Sequence, residues 1–165
     1  MYKVQRVTPG NLNALLQIAD DNAFKIREIQ DQVFRKKGMH YIVGNKEEII
    51  GSAYWIQDPE REYWIRLKEI RINAKPENEE RILEGLITAS EHSFRMAYQN
   101  SFNREGINAR VLGAVFEIKD PSIKRIATYR RLGYTLIDDD PIEIWQKDFP
   151  REKIDAMPQT NRYRS

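Results

Sequence analysis

The chain's 165 residues are enough for one domain with one sizeable core, and a composition of 41% hydrophobic and 32% charged residues without cysteine excludes disulfides, thiolate catalysis and cysteine-ligated metal. The formal net charge of +2 is carried by residues 150–165, where Arg151, Lys153, Arg162 and Arg164 face Glu152 and Asp155; the remaining body has 23 basic and 23 acidic residues, a balance that excludes nucleic acid as the main partner. No apolar run approaches the ~20 residues that span a bilayer, MYKVQRV lacks a signal-peptide layout, and the isolated His40 and His92 cannot build a histidine-rich metal site, so a cytoplasmic protein with neither membrane nor metal is expected.

Residues 2–7 (YKVQRV) predict a first strand, and Thr8-Pro9 supplies a cap and first-turn proline for a helix. Leu12, Leu15, Leu16 and Ala19 form its buried stripe. Asp20-Asp21-Asn22 breaks it, and Ala23, Phe24, Ile26, Ile29, Val33 and Phe34 mark a second helix that stops at Arg35-Lys36-Lys37-Gly38. Residues 40–56 read as a hairpin turned at Gly44-Asn45, and Asp58-Pro59-Glu60 leads into the next strand.

In that strand Tyr63, Ile65 and Leu67 alternate with polar neighbours, and the apolar set then slips by one residue to Ile70, Ile72 and Ala74. One extra residue near Lys68-Glu69, a β-bulge, returns both sets to one face and predicts a splay from the strand at 110–118. Pro76 opens a long helix. Glu77, Glu79 and Glu80 lie at its start, where the macrodipole favours negative charge, and Ile82, Leu83, Leu86, Ile87, Phe94, Ala97 and Tyr98 make one apolar face. Asn100 to Asn108 reads as a polar loop. ARVLGAVFEI (109–118) is the almost continuous apolar run of a central strand.

Asp120-Pro121-Ser122 caps a last helix with Ile123, Ile126, Ala127 and Leu132 at helical spacing, and Gly133 ends it. Tyr134–Ile137 and Ile142–Trp145 are two further strands. The order predicts an α/β fold: one domain over residues 1–149, a mixed central sheet flanked by helices, followed by a basic C-terminal arm over 150–165. Tyr54, Trp55, Tyr63 and Trp64 are either a packed sheet face or a surface for a protein partner.

Over residues 2–148 this order is similar to that of the GCN5-related N-acetyltransferase (GNAT) superfamily. IIGSAYWI (49–56) resembles its third strand, and TYRRLGY (128–134) resembles its late Y-x-x-x-G-[FY] signature. The resemblance implies acetyl-CoA as cofactor, Tyr129 as general acid beside the coenzyme thiolate, Glu69 as base at the bulge, and Ile70, Ile72, Lys75 and Arg81 as coenzyme-binding positions. Beside it stand plainer readings. Glu69 between Lys68 and Arg71 fits a solvated charge pattern, Tyr129 a core tyrosine, and Ser122 a helix cap where the family often has asparagine.

The family's pyrophosphate loop, [QR]-x-x-G-x-[GA], lies between the bulged strand and the long helix. Here residues 75–84 read KPENEERILE: no glycine precedes Gly85, Pro76 removes an amide donor, and carboxylates stand where a polyanion would dock, offset in part by Lys75 and Arg81. The expectation is a GNAT-fold protein that has lost efficient acyl-CoA binding, carries no cofactor, and serves as a structural or interaction module with a protein partner or assembly. Its size, lost loop and retained late helix resemble the GNAT-like internal virion proteins of short-tailed bacteriophages, a resemblance that implies a virion component. The alternative is an acyl-CoA-dependent N-acetyltransferase with an atypical loop.

Overall fold

The period-2 runs of the sequence become seven strands, and its 3.6-period runs four helices, in a computed structural model that describes residues 2–16, 23–35, 38–45, 48–119 and 125–150. The predicted break at Asp20-Asp21-Asn22, the cap at Asp120-Pro121-Ser122 and the arm beyond Pro150 lie outside the described residues. In chain order the elements are β1 (Lys3–Arg6), α1 (Leu12–Leu16), α2 (Ala23–Arg35), β2 (Met39–Gly44), β3 (Ile49–Gln57), β4 (Trp64–Ile72), α3 (Pro76–Arg104), β5 (Gly113–Ile118), α4 (Ile126–Arg131), β6 (Thr135–Asp138) and β7 (Glu143–Asp148). The strands form one mixed sheet in the order β1-β2-β3-β4-β5-β7-β6, in which β4 and β5 are the only parallel pair among the described residues.

Alternation along β2 divides the core between the two faces. Tyr41 and Val43 join the larger cluster with Trp55, Leu86, Phe116, Tyr129 and Trp145, whereas Ile42 joins Val7, Leu12, Leu15, Ile29 and Val33 under α1 and α2. Full burial of each such side chain contributes ~1.5–3 kcal/mol. Trp55 is 0% exposed and satisfies its indole N–H on Ser90 Oγ (2.8 Å), while the Ser90 hydroxyl donates to the Leu86 carbonyl (2.6 Å). This ties the long helix to the middle of the sheet. Gly113 is required where β4 and β5 meet, since a Cβ there would come within 2.4 Å of the Trp64 ring and 2.5 Å of the Lys147 carbonyl.

The expected slip in β4 is present. Tyr54 pairs with Glu69 and Trp55 with Leu67, which leaves Lys68 as the extra residue, and Ile70, Ile72 and Ala74 pack against the larger core with Ile65 and Leu67. Several boundaries differ from expectation: α1 begins at Leu12 instead of Pro9, and β7 runs on to Asp148 instead of ending at Trp145. α3 continues to Arg104 instead of yielding to a loop at Asn100, because Phe102 extends the apolar stripe four residues beyond Tyr98 and is buried against Tyr63 and Tyr98. β5 begins at Gly113, since the Val111 N–H is taken by Gln99 Oε1 (3.1 Å). Tyr54 and Trp55 are buried, and Tyr63 and Trp64 are half-buried, with the Arg61 guanidinium 3.8 Å over the Trp64 ring.

Candidate active site

The bulge determines where the sheet opens. β4 and β5 pair in parallel from Trp64↔Gly113 to Leu67↔Phe116, and there the ladder ends. β4 runs on beside β3 to Ile72, and β5 runs on beside β7 to Ile118. Between them lies a cleft of about 480 Å³ whose walls include Leu67, Lys68, Glu69, Ile70, Phe116 and Ile118. Past Leu67, the β5-facing edge of β4 has no strand partner among the described residues. An unpaired edge presents alternating N–H and C=O groups that an extended, amide-bearing ligand can match.

Glu69 sits on the rim of this cleft with a half-buried side chain. It accepts a charge-assisted bond from Lys25 of α2, and Arg71 Nη2 stands 3.7 Å away. Its strand partner Tyr54 stacks on His40, with centroids 4.0 Å apart and planes 7° apart. Burial outweighs the attraction of Glu69 and lowers the His40 pKa to about 4, so the imidazole is neutral at pH 7. His92 is exposed, and among the described residues no group of acids and histidines could hold a metal ion.

The other expected positions separate. Ile70 lines the cleft, while Ile72 is half-buried against the core. Lys75 is the exposed N-cap residue of α3 and makes no side-chain cap bond. Arg81 borders a different groove, beside Tyr2, Val4 and Val43, so it is not brought together with Ile70. Tyr129 is 0% exposed and packs edge-on to Phe116 (5.0 Å) and Trp145 (5.3 Å). It stands behind the Phe116 wall of the cleft, and burial, the largest effect, raises its hydroxyl pKa well above the ordinary value.

The segment that would hold a pyrophosphate is helical from Pro76. Its carboxylates are bound from α4: Arg125 Nη2 lies 2.7 Å from Glu79, Thr128 Oγ1 donates to Glu80 (3.0 Å), and Arg131 bonds Glu80 and approaches Glu84 (3.3 Å). The hydrogen bond from Arg131 is the main reason the Glu80 carboxyl is held below the usual range. Neither Arg125 nor Arg131 stands out in the linear sequence. The one available signal was that a basic run at 125–131 complements an acidic run at 77–84.

No family model matches the chain, and no curated protein matches it. Solved structures do. The ribosomal-protein-S18-alanine N-acetyltransferase of Escherichia coli superposes with a TM-score of 0.55 at 12% identity, over 92% of this chain and 96% of that one. The PaiA N-acetyltransferase of Thermoplasma acidophilum, solved in complex with coenzyme A, gives 0.57 at 13% identity, over 90% and 99%. An aminoglycoside 6'-acetyltransferase type Ii gives 0.63 at 12% identity, over 91% and 99%. Likeness at such low identity reaches the fold and stops there: this chain has the fold of the GNAT N-acetyltransferases.

Proposed function

We propose that the chain is an acyl-CoA-dependent N-acyltransferase, with acetyl-CoA as the ordinary donor. The observation that carries this reading is the unpaired β4 edge beyond Leu67, which opens into a cleft next to Glu69 and Ile70. The amide-bearing arm of the coenzyme fits that edge, running beside Ile70 toward Ile72, and Lys75 is the nearest cation at the start of α3 for its phosphates. The thioester supplies an activated carbonyl: the amine lone pair forms the C–N bond, the C–S bond breaks with its electrons on sulfur, the nitrogen releases a proton and the thiolate takes one up. Glu69, bound by Lys25 and Arg71, acts as a fixed carboxylate that accepts a hydrogen bond from the amine and orients it. Tyr129 remains a phenol near neutral pH and is the candidate proton donor to the departing sulfur, a role that requires Phe116 to swing aside, because Tyr129 is fully buried behind it. Coenzyme held in this way is bound weakly, because α3 begins as a helix without a glycine cradle.

A second reading is favoured by a separate observation. The carboxylates of α3 are tied to α4 where a pyrophosphate would lie, which suits a module that has lost efficient coenzyme binding and acts through a protein partner, in a virion or in the cytoplasm. Calorimetric titration of acetyl-CoA, followed by release of free thiol in the presence of a panel of amines, separates the two. The acyltransferase reading expects saturable binding, amine-dependent thiol release, and a Tyr129→Phe variant with unchanged affinity and lower turnover. Absence of any binding heat at millimolar acetyl-CoA supports the module instead.

A further inference from the structure

We infer that a second cavity, at the end of the sheet opposite the β4–β5 cleft, binds a small dianionic oxyanion, a phosphate monoester or a dicarboxylate, through Arg95 and Arg110. The site stands apart from the acyltransferase reading and does not depend on it. The cavity, of about 730 Å³, lies between the C-terminal part of α3 and the segment 107–112, with Tyr63 in its lining. The Leu112 N–H donates to the Tyr63 carbonyl (2.8 Å) just before β4 and β5 begin to pair at Trp64↔Gly113, whereas the cleft opens past the other end of that ladder, Leu67↔Phe116. No described residue lines both openings.

Six arginines among the described residues are half-buried. Four of them reach a carboxylate: Arg61 and Arg66 reach Asp58 (3.6 and 3.2 Å), Arg71 reaches Glu69 (3.7 Å) and Arg125 reaches Glu79 (2.7 Å). The other two, Arg95 and Arg110, have no carboxylate within salt-bridge distance among the described residues, and both line this one cavity. A guanidinium drawn part of the way out of water without a counter-charge is costly, and two on one wall repel each other. An anion bound to both removes both costs.

Both guanidiniums are held in place by buried Phe149. Arg95 lies over its ring, 4.2 Å from the centroid, and Arg110 donates from Nη1 to its carbonyl (2.8 Å). Among the described residues Arg110 therefore spends one of its N–H donors on the protein and Arg95 none, which leaves the rest for a ligand. The wall is braced as well: Gln99 donates from Nε2 to the Ala109 carbonyl (2.8 Å) and accepts from the Val111 N–H (3.1 Å). No acidic residue lines the cavity, and Glu91, one turn before Arg95 on α3, is bonded to Lys147 (3.1 Å) and to the Tyr134 hydroxyl. Two planar, forked cations with no acid beside them match the oxygens of a dianion, each fork taking a pair of oxygens.

The test uses the whole chain without coenzyme, in chloride buffer of fixed ionic strength and above the second pKa of phosphate, with inorganic phosphate, succinate and, as the monoanion, acetate. Binding is followed by two-dimensional NMR of the backbone amides. At least one dianion is expected to give saturable shifts confined to α3 near Arg95 and to residues 107–112, and to bind about tenfold or more tightly than acetate. Arg95→Gln and Arg110→Gln should each weaken that dianion by about tenfold, the loss of hydrogen bonds between charges. Arg95→Lys keeps the charge without the fork and should weaken it less than Arg95→Gln, and Arg27→Gln, at an exposed arginine of α2, should leave it unchanged. Preference for phosphate assigns a phosphate monoester and preference for succinate a dicarboxylate, and either supports the site. Shifts that never saturate or that scatter over surface lysines, dianions bound no more tightly than acetate, or binding unchanged by Arg95→Gln overturn it. The shift map of the parent decides even if Arg110→Gln, which loses the bond to Phe149, does not fold.

Discussion

Deletion of Lys68 isolates the contribution of the bulge. Tyr54 already pairs with Glu69 and Trp55 with Leu67, so joining Leu67 directly to Glu69 changes no partner on the β3 side and moves no side chain to the other face. On the β5 side the parallel ladder can then continue past Leu67↔Phe116, bringing Glu69 beside Glu117 and Ile70 beside Ile118. Two additional ladder bonds contribute ~0.5–1.5 kcal/mol each. The like charges of Glu69 and Glu117 oppose them by less than ~1 kcal/mol, a term reduced further because Glu69 is bound by Lys25 and Glu117 lies near Arg66 (3.5 Å) and Lys119 (3.8 Å). Lys68 itself is exposed and contributes little packing.

The net expectation is a gain of about 1–2 kcal/mol, or a melting temperature about 2–8 °C higher, with the cleft closed. Amide hydrogens between Glu69 and Ile72 should exchange more slowly, and the acetyl-CoA titration should lose its heat. The exchange readout stands even if the parent binds no coenzyme. A variant that is less stable than the parent by more than ~1 kcal/mol, or that still binds acetyl-CoA with parental affinity, would falsify the view that the bulge holds the cleft open.

Three further outcomes follow from the geometry. His40 has a folded pKa of about 4 against 6.5 for the free side chain, so the unfolded chain binds more protons between those values; stability is full above pH 6.5 and falls toward pH 4 by up to ~3 kcal/mol. Urea unfolding across that range should show the slope, and His40→Gln should flatten it. Ser90→Ala strands the buried Trp55 N–H and should lower stability by about 1–3 kcal/mol, read as a lower urea midpoint with unchanged m value. Changing Glu79, Glu80 and Glu84 together to Gln releases their bonds from Arg125 and Arg131, and acetyl-CoA affinity should rise by about tenfold, an effect that added salt should erase.

What could be read in the sequence was what is periodic. The slip between Leu67 and Ile70 located the bulge because a strand's side-chain period is 2 and an extra residue has to appear as a phase error. The buried stripe of α3 was equally plain, apart from Phe102, whose neighbours Asn100, Ser101 and Asn103 gave that turn the composition of a loop. The partners of charged residues were not legible, since they come from elements brought together only by the sheet: Lys25 to Glu69, 44 residues apart, and Arg125 to Glu79, 46 apart. Tyr54 read as one of four aromatic residues. Its stacking on His40 is a property of the folded chain alone.

Those partners also change what the start of α3 means for a coenzyme. Taken in sequence, Glu79 and Glu80 are bare negative charges that repel a pyrophosphate, with only Lys75 and Arg81 to offset them. In the fold each faces a guanidinium, so at the distance of a ligand the pair acts as a dipole, and its field falls off faster than that of a lone charge. Arg81, in turn, lies beside a different groove and offsets nothing at the cleft. Charge is therefore the lesser obstacle, and geometry the greater. Pro76 has no N–H, the Asn78 N–H is bonded to the Lys75 carbonyl (2.8 Å), and no glycine lets the backbone approach a phosphate before Gly85. Without phosphate contacts, binding depends on amide pairing along the β4 edge, at ~1 kcal/mol per bond, and on burial of the coenzyme's apolar arm. That places the expected dissociation constant nearer the millimolar than the micromolar range, where the binding free energy is only about 4 kcal/mol. An acyltransferase of this kind would run below saturation, so rate should rise linearly with acetyl-CoA through the micromolar range.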